Sequence, residues 1–383
     1  MRCSVKAMQI RMRRLAAVTV TPRTTWVFAE LGGGNGAVTT VEITLGDRSA
    51  QVAKLLAELV AALRGWEPAA EELVAERLGL TRQRVGRDVV LATAVSALRT
   101  AVAQLDAERA GVSLHRFLGA EVATSVELYA NINRALHGTG RAPADFARAA
   151  ERAARAGFRS FKCAPFDEVS STLPPDRILS AAAAGLARVR AVRAAIGPAS
   201  RLLVDCHSRF TAATAPAIAA ELARAGVGWF EEPLQPRTAA ADLAAIARQA
   251  PMPVAGGESG YGSAFFDRLL ETGAVSIIMP DIKHCGGVGE AVRAGRAALR
   301  QGGAFSLHSP SGPVSLLASA HVTAAVPGAL PLEHAVGEAE WRSELISPAE
   351  RIENGHLHMP PGAGLGATLD WPAIVRHGRV WTP

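Results

Sequence analysis

Two hydrophobic periods alternate along this chain. Short apolar runs bounded by Gly, Pro or polar residues read as strands. Ala/Leu-rich stretches with Arg and Glu on one side read as amphipathic helices. The first third opens with RLAAVTV, then TWVFAEL, GGGNG and AVTTVEITL, followed by Ala/Leu-rich helical stretches. GGGNG between two apolar runs predicts a hairpin turn. From Val126 the alternation becomes regular. Strands are predicted at VELYAN, FRSFKCA, RLLVDC, GVGWFE, MPVAGG, VSIIMPD, AFSLH and ALPLE, with helices filling most of the gaps. Eight strands at this spacing predict a parallel α/β barrel rather than an all-β fold. The closing stretch RIENGHLHMPPGAGLGATLD holds two strand-like pieces around a Gly/Pro turn and is too short to fold alone, so it should dock on another part of the chain.

Composition narrows this picture. A chain of 383 residues fits a barrel plus a smaller domain. With 49% apolar and 20% charged residues it should be globular. The formal charge of +6 is carried mostly by Arg on helical segments such as ARAAERAARAGF and ARVRAVRAAIG, which read as solvated helix faces. No basic run interleaves with aromatics, so no nucleic-acid partner is expected, and the positive field favours small anionic substrates. Cys3, Cys163, Cys206 and Cys285 lack zinc-site spacing, and three of them end predicted strands. Buried free thiols are expected, which suits a reducing cytoplasm. The basic start MRCSVKAMQIRMRRL has no apolar stretch behind it, so no secretory leader is expected. No uninterrupted apolar run reaches ~18 residues, so no membrane span is expected.

Chemistry enters at the strand ends. Asp205 in RLLVDCH, Glu231 in VGWFEEPL and Glu258 in MPVAGGES each close an apolar run, at intervals of 26 and 27 residues. That interval is one strand–helix–strand repeat, so neighbouring parallel strands bring the three carboxylates to one rim. Three hard oxygen ligands in an apolar frame describe a Mg²⁺ site. Any one of them alone would more simply cap the next helix. The other polar strand ends are Asn131 and Asn133, Lys162, His207, Asp281, His308 and Glu333. Asp281 and His308 are also 27 residues apart, so the Asp can fix the tautomer of the His and raise its basicity. His207 lies two positions after Asp205, and strand alternation would turn it towards the same cavity. Arg209 continues that alternation and is a candidate to hold a hydroxyl or carboxylate. Glu232 is expected to accept hydrogen bonds beside the metal ligands. His284, His321, His356, His358 and His377 are expected to be structural or exposed.

With these residues in view, the chain resembles the enolase superfamily, mandelate racemase subgroup. The likeness runs through TTWVFAEL, ATAVSALRTAVAQLDAERAGVSLHRFLGA, VDCHSRF, WFEEPL, GGESGYG, IIMPDIKHCGG, LHSPSGPVSLLASAH and PGAGLG. It implies a modified TIM barrel, (β/α)7β, with an α+β capping domain formed by both termini. The boundaries then fall at 1–122 for the N-terminal part of the cap, 123–350 for the barrel and 351–383 for the C-terminal segment that completes the cap. It implies Mg²⁺ held by Asp205, Glu231 and Glu258, a His308–Asp281 dyad and a carboxylate-binding Glu333. Within the subgroup the chain is most similar to galactonate dehydratase-type enzymes. They too carry a His two residues after the first metal Asp, and a strand end like His308–Ser309–Pro310–Ser311–Gly312–Pro313. The Lys–x–Lys of racemases is here Lys162–Cys163–Ala164, which removes the second Lys as a base.

The activity implied is dehydration of a sugar acid to a 2-keto-3-deoxy acid through an enediolate. His308 would take the C2 proton and His207 would protonate the leaving 3-hydroxyl. Lys162 stands as the alternative base on the opposite wall. The capping loop Thr21–Trp26 would shape substrate choice, and Trp26 together with the strand-end residues Asn131, Asn133 and Arg209 are the expected substrate contacts. Alternatives are a one-base epimerase or cycloisomerase, or a metal-binding homologue without activity. A small-molecule carboxylate is the expected partner, in a homo-oligomer.

Overall fold

The computed structural model describes residues 10–66, 70–136 and 140–381. Cys3 and most of the basic N-terminal stretch lie outside the described residues. β1 (Arg11–Thr21), β2 (Thr24–Gly32) and β3 (Val38–Glu42) form an antiparallel meander. The GGGNG segment turns between β2 and β3, closed by Gly33 N–H donating to Ala37 O at 2.8 Å. Helices Ser49–Ala62 and Val89–Arg109 cover one face, where Val52, Leu56, Val60, Leu98, Val102 and Leu105 meet Leu15, Val27, Leu31 and Val41. Asp88 starts the second helix by accepting from Val90 N–H at 2.9 Å. That helix is long and apolar enough to cross a membrane by length and composition, contrary to the expectation from uninterrupted runs. In the structure 83% of its apolar window is buried inside the protein, so it is a core helix.

The parallel sheet contains all eight strands expected from the sequence: β4 (Ser125–Asn131), β5 (Ser160–Cys163), β6 (Arg201–Asp205), β7 (Val227–Glu231), β8 (Val254–Gly256), β9 (Ile277–Ile278), β10 (Ala304–Phe305) and β11 (Leu332–Ala335). Their order is β10-β9-β8-β7-β6-β5-β4-β11, all parallel. Among the described residues no ladder joins β10 to β11. Leu330 N–H donates to Phe305 O at 2.8 Å, and Ser306 Oγ donates to Pro331 O at 3.0 Å, across that junction. Alternation along the strands gives the sheet two apolar faces. Leu128, Phe161, Leu202, Val204, Phe230, Val254 and Ile278 pack into the main core. Tyr129, Leu203, Trp229, Ala255, Ile277 and Met279 form a separate cluster on the other side. A sheet that is apolar on both faces needs cover on both.

The C-terminal stretch divides between the antiparallel meander and the parallel sheet. β12 (Ile346–Ser347) pairs with β15 (Thr368–Leu369), and the hairpin of β13 (Ile352–Glu353) and β14 (His356–His358) adds antiparallel to the first half of β4. β16 (Gly378–Trp381) then pairs with β1, so that the far end of the chain completes the first sheet in the order β16-β1-β2-β3. Buried ions join the helix behind the first sheet to a helix that follows β9 of the parallel sheet. Arg99 on helix Val89–Arg109 pairs with Glu71 and with Glu290 of helix Val288–Arg300.

Candidate active site at the rim of the parallel sheet

The C-terminal ends of the strands gather the polar residues. Asp205 and Glu231 end β6 and β7 as register partners. Glu258 lies two residues beyond β8, and one carboxylate oxygen from each of the three falls within 4.8 Å of the others. Lys162 on β5 is fully buried, and its ammonium touches Glu231, Asp205 at 3.3 Å and Glu333 at 3.1 Å. Trp229 Nε1 donates to the second oxygen of Glu231 at 3.1 Å. Glu333 on β11 accepts from Asn131 Nδ2 at 2.8 Å and from Ser309 N–H at 2.9 Å. Asn131 in turn orders Asn133, whose Oδ1 accepts from Ala164 N–H at 2.6 Å.

Three carboxylates thus share one buried ammonium. Burial pushes Glu231 well above the usual carboxylate range and Asp205 adds to this, against the pull of Lys162. Burial also opposes ionisation of Asp205, but Lys162 and His207 outweigh it and hold Asp205 below its usual range. Three hard oxygens this close together, with negative charge in excess, fit a divalent hard cation such as Mg²⁺.

Two imidazoles touch the triad. His308 follows β10, and its Nδ1 lies 3.0 Å from Asp281 Oδ2 while its Nε2 lies 2.9 Å from Glu258 Oε2. Burial lowers the affinity of His308 for a proton, but the acids around it, Glu258 first, raise it well above the usual histidine value. Asp281 also accepts from Lys283, from N–H at 2.8 Å on one oxygen and from Nζ at 2.9 Å on the other. The second imidazole, His207, reaches the triad by a different route from the one strand alternation predicts. β6 stops at Asp205, and His207 and Ser208 adopt left-handed φ of 47° and 56°. The turn places His207 N–H 2.9 Å from Asp205 Oδ1 and His207 Nε2 3.1 Å from Asp205 Oδ2. Glu232, also left-handed at φ 36°, accepts from Gly257 N–H at 2.8 Å and so anchors the loop that carries Glu258. Burial pushes its carboxyl up to about 8. Glu42 of β3 fixes the loop after His308, accepting from Gly312 N–H at 2.9 Å and Ser315 N–H at 3.1 Å.

A cavity of about 640 Å³ opens beside His207, lined also by Asn133, Ala164, Asp167, Arg141, Arg209 and the β1–β2 loop Thr21–Pro22–Arg23. Arg209 is at this cavity, with its Nη1 donating to Asp167 O at 3.0 Å and Val169 O at 2.8 Å. Trp26 is not. Alternation along β2 turns it into the core, fully buried, edge-on to Trp341 at 6.3 Å and beneath the Arg342 guanidinium at 5.1 Å. Arg23 takes its place at the cavity wall. The sequence alone did not single out Arg23, Arg141 or Asp167, since they lie on loops without strand phase. Lys283 carried a legible signal, two residues after Asp281. His284 hydrogen-bonds Thr93 at 2.9 Å, His321 stacks on His115 at 5.2 Å and His377 stacks on Trp341 at 4.2 Å, all structural contacts. Cys163, Cys206 and Cys285 are buried free thiols.

Comparison with known proteins gives matches over most of this frame. A family model described as enolase C-terminal domain-like matches residues 145–373. A D-galactonate dehydratase from Ralstonia pickettii is 27% identical over 97% of this chain and 95% of its own length. A D-xylonate dehydratase from Haloferax volcanii is 35% identical over 49% of this chain, a match that spans 46% of that protein. Among solved structures, a mandelate racemase/muconate lactonizing enzyme from a Sulfitobacter species superposes with a TM-score of 0.83 at 25% identity, covering 96% of this chain and 95% of that one.

Proposed function

The chain belongs to the enolase C-terminal domain-like family, and on that premise we propose that it is a Mg²⁺-dependent sugar-acid dehydratase. The observation that carries the reading is the pair of imidazoles on one carboxylate triad. His308 comes from the end of β10 and touches Glu258, whereas His207 comes from the end of β6 and touches Asp205. A β-elimination needs a base and an acid around one substrate, and a racemisation needs two bases flanking C2. The second base position of racemases holds Ala164 here, which accepts no proton. The reading includes closure of the eight-stranded sheet into a (β/α)7β barrel, with residues 1–122 and 351–383 as its cap, except that the hairpin β13–β14 within the latter segment lies against β4 of the barrel sheet.

Asp205, Glu231 and Glu258 are the residues that would hold Mg²⁺, which when bound stabilises negative charge on the substrate carboxylate. Glu333, ordered by Asn131 and Ser309, stands at the same end of the substrate. Asp281 accepts the Nδ1 proton of His308 and so presents Nε2, which lies 2.9 Å from Glu258 Oε2 in this structure, as the atom that would take the proton from C2. His207 gives a proton to the 3-hydroxyl, which leaves as water. The enol that remains takes a proton at C3 and becomes the 2-keto-3-deoxy acid. Acid and base help of this kind is worth roughly 10²–10⁴-fold per group. Lys162, locked among three carboxylates, serves charge balance rather than proton transfer.

The test is a screen of linear sugar acids for 2-keto acid formation with Mg²⁺ present. Turnover should vanish in excess EDTA and in Glu258→Gln, with the circular dichroism spectrum unchanged. Full activity in EDTA overturns the metal reading, and turnover to an epimer or lactone isomer without 2-keto acid overturns the dehydratase reading.

A further inference from the structure

The cavity beside His207 has an unbalanced charge. Three guanidinium groups line it, those of Arg23, Arg141 and Arg209, against the single carboxylate of Asp167. Arg141 is already committed to Asp167. Arg209 gives Nη1 to two backbone carbonyls, which aim it without neutralising it. Arg23 sits on the two-residue connection between β1 and β2, and among the described residues its guanidinium has no hydrogen bond or ion pair. Its backbone N–H donates to Thr21 Oγ1 at 3.2 Å. Two positive charges therefore face a cavity that His207 borders, and His207 Nε2 lies 3.1 Å from Asp205 of the carboxylate triad, where the reacting end of the substrate belongs. A hydroxyl-ended chain would leave both charges without a counter-ion. A chain ending in a second anion would neutralise them.

Resting on the dehydratase reading, we propose that the substrate carries an anionic group at each end, and that Arg23 with Arg209 receives the far one. The class that fits is a linear dicarboxylic sugar acid. A sugar acid phosphorylated at its far end offers the same shared chemistry. Arg23 enters from the N-terminal unit, so this contact also makes the cap sense the length and charge of the substrate. Its planar fork suits bidentate contact with a carboxylate.

The experiment is calorimetric titration of the Mg²⁺-loaded protein with three six-carbon ligands: a dicarboxylic sugar acid, the matching monocarboxylic acid and that acid phosphorylated at C6. The diacid is expected to bind at least tenfold more tightly than the monoacid at low salt, with the advantage shrinking as salt rises. Arg23→Leu should bring the ratio of the two affinities close to one, and Arg23→Lys should keep part of it. If the phosphorylated acid outbinds the diacid in an Arg23-dependent way, the far anion is a phosphate and the dicarboxylic assignment falls. Equal binding of diacid and monoacid, or equal weakening of both in Arg23→Leu, overturns the subsite. The two readings separate cleanly. Dehydration of the monoacid without any preference for a second charge leaves the activity standing and removes the subsite. A diacid preference without 2-keto acid formation from any ligand does the reverse.

Discussion

Replacing Arg99 by Met should cost about 3–5 kcal/mol of stability, the range for breaking a buried ion pair from one side. Arg99 is only 7% exposed and lies between Glu71 and Glu290, which are 8% and 3% exposed. Its Nη2 is 3.2 Å from Glu290 Oε2, an attraction of roughly 5 kcal/mol at an effective dielectric of ~20, before desolvation of the guanidinium is subtracted. In the variant the cation left to the two carboxylates among the described residues is Arg293, at 3.1 and 2.7 Å, whose side chain is 38% exposed and therefore screened, while Glu290 keeps the N–H of Ser263 at 2.7 Å. Burial already raises the Glu71 carboxyl, so Glu71 takes up a proton when Arg99 is lost, and the cost should fall towards the lower end, about 3 kcal/mol. Function should suffer too. The helix that carries Arg99 also holds Gly286 N–H through Ser96 Oγ at 2.8 Å, and Gly286 follows closely on Asp281 and Lys283. Urea unfolding of wild type, Arg99→Met and Arg99→Met/Glu71→Leu, followed by circular dichroism and Trp fluorescence, measures the effect. The double variant should recover part of the loss because one stranded carboxylate is gone. A loss below ~1 kcal/mol for Arg99→Met, or no recovery in the double variant, would refute this account of how the two units are joined.

Other outcomes follow from particular contacts. His207→Asn should be slow on a 3-hydroxy substrate and recover much of its rate on the 3-fluoro analogue, since fluoride leaves with little protonation; equal loss on both would assign His207 to binding. Stability should fall as pH drops below ~6.5, because burial lowers His321 to about 3 and the unfolded chain then binds the extra proton. That single group contributes a loss of about 2 kcal/mol at pH 5, and a His321→Gln variant with an undiminished pH slope would contradict it. Light scattering should give a mass well above the 39.9 kDa of one chain, and a monomer at micromolar concentration would exclude the expected oligomer.

The parallel sheet was legible because each of its strands is an apolar run closed by a polar residue, so strand phase and site phase coincide. Asp205, Glu231 and Glu258 could be read together for that reason, as could Asp281 and His308. Legibility ended where position depends on turns and distant partners. His207 reaches Asp205 through two left-handed residues, not through alternation. Trp26 looked like a cavity residue because it borders the capping loop, but it belongs to the core face of β2. Glu42 caps the helix Pro313–Ala324 across 270 residues of sequence. A Cβ on Gly312 would come within 2.8 Å of that Glu42 carboxylate, a close approach that no local pattern announces. The hairpin β13–β14 was expected among the strand-like pieces near the C-terminus, but its partner β4 lies far back in the chain and could be identified only in three dimensions.

The central claim assigns proton abstraction to His308 and hydroxide loss to His207, and turnover in deuterated water followed by proton NMR separates the two steps. Wild type should yield 2-keto-3-deoxy acid with one deuterium at C3, from a substrate of R configuration at C2. His207→Asn should still exchange the C2 proton for deuterium while eliminating far more slowly, and His308→Asn should do neither. Exchange at the wild-type rate in His308→Asn would contradict the account and move the base to another residue, with Lys162 the first to examine.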